Sequence, residues 1–252
     1  MSGSLTGPTG DPWHRLRELT PARIALGRAG ASLPTAAHLD FQLAHARARD
    51  AVHDALDVPA LARDLQAAGF ESLRVRSAAG SRETYLKRPD LGRRLDRESG
   101  ERLASLRSAP DAVFVVADGL AASAAQRHAV PVIAAAAGRL RAEGWRIAPV
   151  VVAEQGRVAL ADEIGARLGA SLAVVLLGER PGLSAPDSLG AYLTWQPMAG
   201  RTDAERNCLS NIRPEGLPYD VAAATLVHLM TEARRRRLSG IALKADRGAL
   251  GR

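Results

Sequence analysis

Four short apolar runs, alternating with helical patterns, constrain the fold of this chain more than any other feature. Each run is rich in β-branched or other apolar residues, and the runs span residues 112–117, 147–153, 172–177 and 191–195. Helical periodicity separates the first three runs, at residues 121–141 and 160–168. Short strands that are apolar on both faces and joined by helical crossovers are typical of parallel sheets. The pattern therefore predicts an α/β, Rossmann-like fold whose mostly parallel sheet is flanked by helices.

The remaining patterns divide the chain into four parts. Residues 1–19 are predicted to be a flexible N-terminal tail with a short helical turn at 13–19, and residues 241–252 a C-terminal tail. Residues 20–80 are predicted to form an N-terminal helical annex, and residues 81–240 the main domain. The elements predicted within these parts are helices at 34–56, 59–68, 89–106 and 219–238 and a short strand at 70–75.

Charge and cysteine content limit the classes of function. The net charge is +7, yet lysine occurs only at Lys87 and Lys244 in an arginine- and alanine-rich chain. This composition favours solvated surface charge over a nucleic-acid interface, although an arginine-rich nucleic-acid binder stays open as an alternative. With Cys208 as the single cysteine, no disulfide forms within the chain and no four-cysteine zinc site is possible.

Neither a targeting segment nor a membrane span is predicted. The first twenty residues contain glycine, proline and polar residues where a signal peptide needs a continuous apolar stretch. The longest apolar runs, near 129–138 and 147–153, are shorter than the ~20 residues that span a bilayer. We therefore expect a cytoplasmic protein that does not enter a membrane.

The predicted sheet places the candidate site in the loops that follow its strands. Ligands of open α/β sheets bind beyond the carboxyl ends of the strands. The loops at this edge are residues 118–120, 154–158, 178–182 and the long segment 196–217, which is rich in Asn, Ser, Pro and Gly. A structureless connection of this last length is uncommon unless it binds something. In the first loop, Asp118 is expected to end a strand or to orient its neighbour.

Common catalytic motifs are absent from the sequence, which has no phosphate-binding glycine loop, no G-x-S-x-G and no H-E-x-x-H. Its six histidines are scattered, so no metal site is predicted. A stand-alone Rossmann-like nucleotide-binding enzyme remains an alternative, with Glu179, Asp118 and Arg180 as acid, base and phosphate ligand. A binding crevice without recognisable catalytic residues instead suggests that a cofactor or a partner subunit carries out the chemistry. No catalytic residue is predicted on this chain.

Six blocks of sequence, taken in order, carry a family resemblance. They are TPARIALGRAG (20–30), ETYLKRPDLGRRLD (83–96), VADGLAASA (116–124), GRVALADEIG (156–165), VVLLGERPGL (174–183) and CLSNIRPEG (208–216). Together they resemble the successive blocks of the small (light) subunit of ethanolamine ammonia-lyase, an adenosylcobalamin enzyme. The resemblance extends from residue 20 to about residue 240. It implies that residues 81–240 form a cobalamin-binding domain.

The resemblance also implies a division of labour between two subunits. In that family a large subunit holds ethanolamine and carries out its radical conversion to acetaldehyde and ammonia, and the small subunit closes over the cobalamin in a hetero-oligomer. The chain lacks D-x-H-x-x-G, so the implied cobalamin keeps its own base on cobalt. A cytoplasmic location is implied, with a bacterial microcompartment as a narrower possibility.

Three residues are implied as cofactor contacts by carrying the family's motifs onto this sequence. They are Val158 in GRV, Glu179 in GERPG and Cys208 in NCLSNI, and all three fall in the loops selected above. Glu179 suits hydrogen bonds from corrin amides, whereas Val158 and Cys208 offer apolar contact. The plainer alternatives are that Glu179 caps a helix or pairs with Arg180, and that Val158 and Cys208 are ordinary core residues.

Overall fold

A computed structural model describes residues 13–243. Seven α-helices are seen within these residues, namely α1 (Thr35–His53), α2 (Val58–Ala67), α3 (Arg82–Lys87), α4 (Arg97–Ser105), α5 (Ala122–Ala142), α6 (Leu160–Leu168) and α7 (Tyr219–Arg236). Six strands are seen there too, namely β1 (Ser72–Arg76), β2 (Ala112–Ala117), β3 (Val150–Glu154), β4 (Leu172–Gly178), β5 (Leu189–Trp195) and β6 (Arg206–Ile212). Short 3₁₀ helices lie at His14–Glu18, Leu91–Arg93, Asp203–Glu205 and Gly240–Ala242.

The six strands form one mixed sheet in the order β1-β3-β2-β4-β5-β6. The first four strands in this order pair in parallel, whereas β5 is antiparallel to both β4 and β6. The predicted α/β class is therefore confirmed, and the sheet is parallel in one half and antiparallel in the other. Strand β1, from the segment predicted as an annex, pairs with β3 and so belongs to this sheet.

Helices cover both faces of the sheet. On β2 every residue is buried, and alternate side chains enter two separate cores. Phe114 packs with residues of α2, α5 and α7, whereas Val113 and Val115 pack with residues of α4 and α6. This two-sided burial explains why the central strands read as continuous apolar runs.

Two predictions about element boundaries are wrong for identifiable reasons. The helix predicted over 89–106 is a 3₁₀ turn followed by α4, because the Asp96 carboxylate accepts a hydrogen bond from the Ser99 N–H (2.8 Å) and caps a new helix. The segment 196–217 is not structureless, because it contains β6 at the sheet edge. Cys208 and Ser210 are exposed there, so the strand lacks a continuous apolar run.

The ends of the chain are only partly described. The helical turn predicted at 13–19 is present at His14–Glu18. Residues 1–12 and 244–252, which belong to the two predicted tails, lie outside the described residues. In residues 13–243, no helix combines the length and the apolar character needed to cross a bilayer.

Candidate functional site

A pocket of about 480 Å³ lies where β2, β3 and β4 end. Its walls come from the loops after these strands, from the segment that contains α3 and from the antiparallel half of the sheet. The lining residues are Tyr85, Leu120, Arg157, Val158, Leu177, Gly178, Glu179, Arg180, Tyr192 and Ser210. This pocket therefore lies at the edge of the sheet that the strand-end rule selected.

Asp118, the residue after β2, fixes the loop that follows β3. Its side chain is 2% exposed, and its carboxylate accepts hydrogen bonds from the N–H groups of Gln155 (2.9 Å) and Gly156 (3.0 Å). Burial raises the pKa of Asp118, while these two N–H groups and nearby Arg82 oppose the rise. The expectation that Asp118 orients its neighbouring loop is confirmed. Because the carboxylate is occupied in this way, it does not serve as a base facing the pocket.

Two glycines bring the loop after β2 against the end of β4. Gly119 has φ +58°, a conformation that favours glycine, and the Leu120 N–H donates to the Gly178 carbonyl at 2.8 Å. A Cβ on Gly119 would strike the Gly178 carbonyl oxygen, and a Cβ on Gly178 would strike the Ala121 carbonyl oxygen. This close backbone contact puts Leu120 beside Gly178 in the pocket wall.

Tyr85 anchors the wall supplied by α3. The ring is fully buried between two guanidinium groups, with Arg157 4.2 Å and Arg82 4.8 Å from its centroid. Its hydroxyl donates to the Gly156 carbonyl at 3.3 Å, and Arg157 donates to the Tyr85 carbonyl at 3.2 Å. Burial raises the pKa of Tyr85 to about 12, so the phenol stays protonated at neutral pH.

Glu179 joins three segments of backbone at the end of the sheet. Its carboxylate accepts hydrogen bonds from the Ser188 hydroxyl, from the Ser210 hydroxyl at 2.5 Å and from the Asn211 N–H at 3.1 Å. Neither a helix cap nor a pair with Arg180 is seen; among residues 13–243, Arg180 has no ion-pair or hydrogen-bond partner. Glu179 therefore ties the β4–β5 connection to the end of β6.

The antiparallel half of the sheet extends the pocket into an open surface. On this face α6 contacts Thr194 and Arg206, whereas Tyr192, Cys208 and Ser210 lie nearer the pocket and are half-buried or exposed. Tyr192 and Cys208 are opposite one another on β5 and β6. We call the surface formed by Cys208 together with Tyr192 and Ser210, which also line the pocket, the open sheet face.

Cys208 is exposed in this chain and lies beside the pocket, outside its lining. Partial burial and the nearby Glu179 raise the pKa of the thiol, while a hydrogen bond with Tyr192 opposes the rise. Burial likewise raises the pKa of Tyr192. Both side chains are therefore uncharged at neutral pH, which suits contact with an apolar ligand.

The sequence-selected residues converge on this region. Val158 and Glu179 line the pocket, and Cys208 is on the adjoining open sheet face. The alternative that Cys208 is a buried core residue is wrong, since its side chain is exposed. Sequence reasoning did not select Tyr85 or Tyr192. The only signal for Tyr85 was its position in the ETYLK block, and Tyr192 is one residue of an apolar strand.

Comparison with known proteins identifies the family. A family model described as ethanolamine ammonia-lyase light chain matches residues 10–244. The ethanolamine ammonia-lyase small subunit of Azotobacter vinelandii is 60% identical over 242 residues, covering 94% of this chain and 90% of that relative.

Two further relatives carry the same description. The small subunit from Ralstonia nicotianae is 58% identical over 240 residues, covering 94% of this chain and 89% of the relative. The one from Pseudomonas syringae pv. tomato is 56% identical over 240 residues, covering 94% and 84%. Because the family model covers nearly the whole chain and the relatives are this similar, the chain belongs to the ethanolamine ammonia-lyase small-subunit family.

Proposed function

We propose that this chain holds adenosylcobalamin together with the large subunit of ethanolamine ammonia-lyase, in a hetero-oligomer that converts ethanolamine to acetaldehyde and ammonia. One observation carries the proposal: the strand-end pocket continues onto an open sheet face that no helix of residues 13–243 covers. The family assignment leaves the nucleotide-binding and nucleic-acid-binding alternatives without support.

The chemistry of the pocket fits this cofactor. A corrin ring is a broad apolar disc edged with amide side chains, so it needs apolar contact and a few hydrogen-bonding groups. Leu120, Val158 and Leu177 supply apolar surface, while Glu179 and Ser210 supply polar atoms. A pocket of about 480 Å³ takes in only part of such a ligand. The remainder is left for the open sheet face and a second subunit to cover.

Each of the three carried-over residues has a role that its surroundings allow. Val158 offers an apolar side chain just before the first turn of α6. Glu179, already held by Ser188, Ser210 and Asn211, offers carboxylate lone pairs to corrin amides without having to be reoriented. Cys208 offers a small uncharged side chain at the ring edge.

In the proposed complex this chain binds the cofactor and encloses one side of it. When bound, adenosylcobalamin would supply radical chemistry, and ethanolamine would occupy a site on the large subunit. The parallel strands β1–β4 act as a Rossmann-like platform that fixes the loops, and the apolar walls exclude water from the ring. We place the complex in the cytoplasm, with a bacterial microcompartment as the narrower alternative.

Glu179→Ala tests the assigned role. The change removes the acceptor of two hydroxyls and one N–H, which loosens the pocket wall, and it removes the acceptor for corrin amides. We expect cofactor retention by the two-subunit complex to weaken by about 1–3 kcal/mol, measured as Kd by equilibrium dialysis with visible absorbance. Glu179→Gln keeps one acceptor oxygen and is expected to lose less.

Glu215→Ala is the matched control, because it removes an exposed carboxylate that is outside the pocket. Its Kd is expected to equal that of the unmodified complex. If Glu179→Ala retained the cofactor as well as this control does, the assignment of Glu179 to the cofactor site would be lost.

A further inference from the structure

A second pocket, of about 440 Å³, adjoins the first and is rich in arginine. We call it the arginine pocket. Its lining residues are Pro89, Arg93, Arg157, Val158, Ala159, Arg201, Thr202, Asp203 and Arg206. Arg157 and Val158 line both pockets, so a ligand in the cofactor pocket is within reach of this one.

Two of the four arginines already have anionic partners. Arg206, with a side chain 2% exposed, donates to Asp162 at 2.6 Å, and Arg201 donates to Glu205 at 2.5 Å. The other two arginines therefore determine what charge the pocket can accept.

Arg93 and Arg157 have no anionic partner among residues 13–243. Arg157 donates to the Tyr85 carbonyl and stacks on the Tyr85 ring, but its buried Nε has no hydrogen-bond partner there. The exposed Arg93 makes no ion pair or hydrogen bond through its side chain in that part of the chain. Asp203 is the acidic lining residue, and its side chain is 98% exposed and 3.8 Å from Arg206. The pocket therefore holds uncompensated positive charge.

The start of α6 adds to this charge. Within the described residues no side chain caps this helix, which follows Val158 and Ala159 directly. Both acids of the first turn are already paired, Asp162 with Arg206 of the pocket wall and Glu163 with the Leu95 N–H at 2.8 Å. The N–H groups of Leu160, Ala161 and Asp162 donate to the carbonyls of Arg157, Val158 and Ala159, so α6 contributes the positive end of its dipole. Beside two guanidinium groups that lack an anionic partner, this is a favourable place for a phosphate oxygen.

We propose that the arginine pocket binds an oxyanion, and that its occupant in the assembled enzyme is the phosphodiester of the cobalamin nucleotide loop. The inference rests on the proposed function. The phosphodiester is the anionic side group of the cofactor, and a cofactor in the first pocket is within reach of the arginine pocket because the two pockets share Arg157 and Val158. Arg93 and Arg157 are then the residues that hold the phosphate. The Arg93 guanidinium has no ion pair or hydrogen bond among residues 13–243 and can bind it with two N–H groups, whereas Arg157, whose Nη2 donates to the Tyr85 carbonyl, offers its Nη1.

The test compares three corrinoids on the two-subunit complex: adenosylcobalamin, adenosylcobinamide phosphate and adenosylcobinamide, which lacks the phosphate. The variant is Arg93→Gln, chosen because Arg93 is exposed and its side chain makes no ion pair or hydrogen bond among residues 13–243. We expect its Kd for the two phosphate-bearing corrinoids to rise ~10-fold, as for the loss of one charge-assisted hydrogen bond, with adenosylcobinamide unaffected. Arg97→Gln, which removes an exposed arginine outside the pocket, is expected to leave all three Kd values unchanged.

Three results would overturn the inference. Equal weakening of all three corrinoids, or weaker association of the subunits, would assign Arg93 to general packing or to the partner. Unchanged affinities together with lost binding of inorganic phosphate, measured by calorimetry, would show a site for free phosphate only. Failure of the unmodified complex to bind any corrinoid would instead count against the proposed function, so the two failures are distinguishable.

Discussion

Replacing Arg206 with alanine is expected to lower the free energy of unfolding by about 3–5 kcal/mol, because it leaves a buried carboxylate without its partner. Arg206 and Asp162 each have side chains 2% exposed and are joined at 2.6 Å. The same guanidinium donates to the carbonyls of Arg201 (2.9 Å) and Thr202 (3.2 Å). The substitution therefore breaks the link between α6 and β6. It also removes a hydrogen-bond donor from two backbone carbonyls.

The loss should depend on pH. Burial raises the pKa of Asp162 to about 6 even with Arg206 in place, and removal of the arginine raises it further. A carboxyl group whose pKa is higher in the folded than in the unfolded state binds more protons when folded, so stability falls as pH rises between the two values. Chemical denaturation should therefore show a larger deficit for Arg206→Ala at pH 8 than at pH 5.

Two companion variants separate charge burial from lost packing. Asp162→Asn combined with Arg206→Ala buries no unpaired charge and should be more stable at pH 8 than Arg206→Ala alone. Arg235→Ala, which breaks an exposed pair with Glu232 on α7, should give no measurable change. If Arg206→Ala matched Arg235→Ala, the buried pair would not be the link between α6 and β6.

Gly178→Ala is expected to cost about 3 kcal/mol for a steric reason. The added Cβ would lie against the carbonyl oxygen of Ala121 and 2.8 Å from its N, and backbone atoms cannot move aside as a flexible side chain does. Relief requires the loop after β2 to separate from β4, which breaks the Leu120 N–H bond to the Gly178 carbonyl. Cofactor affinity of the complex should fall with stability, because Leu120 and Gly178 both line the pocket.

Gly138→Ala adds the same methyl group but is expected to raise the stability of the fold. Gly138 lies inside α5, and a Cβ there meets nothing within 4 Å. Alanine in an open helical position is expected to stabilise by about 0.5–1 kcal/mol. Thermal or denaturant unfolding of the two variants should move in opposite directions. Equal effects would mean that the close approach of Gly178 to Ala121 in the loop after β2 does not limit the fold.

The sequence predicted the parts of the fold that depend on local apolar patterning. Strands β2 and β4 begin where their apolar runs begin, because strands buried on both faces consist of continuous apolar residues. Helix α6 has the predicted bounds, because its apolar residues recur at helical spacing. The direction in which a strand pairs with its neighbour, by contrast, is not determined by the local sequence of that strand. The ten residues between β4 and β5 contain no helix in the structure, and β5 turns back antiparallel.

The candidate site was predictable to the level of loops and no further. Parallel strands share a carboxyl edge, so the loops containing Val158 and Glu179 were expected to meet, and they do. The partners of Glu179 were beyond sequence reasoning, because Ser210 approaches it only through pairing of β6, an edge strand with an exposed polar side. The same pairing brings Cys208 opposite Tyr192.

The most direct test of the account is cofactor retention by the chain alone, by the large subunit alone and by the two co-expressed. Each preparation is incubated with adenosylcobalamin, desalted and scanned in the visible range. We expect the corrinoid spectrum to persist only in the two-subunit complex, which should also release acetaldehyde from ethanolamine, because the pocket and open sheet face of this chain form one side of the site. Equal retention by the large subunit alone would contradict the claim that this chain holds the cofactor.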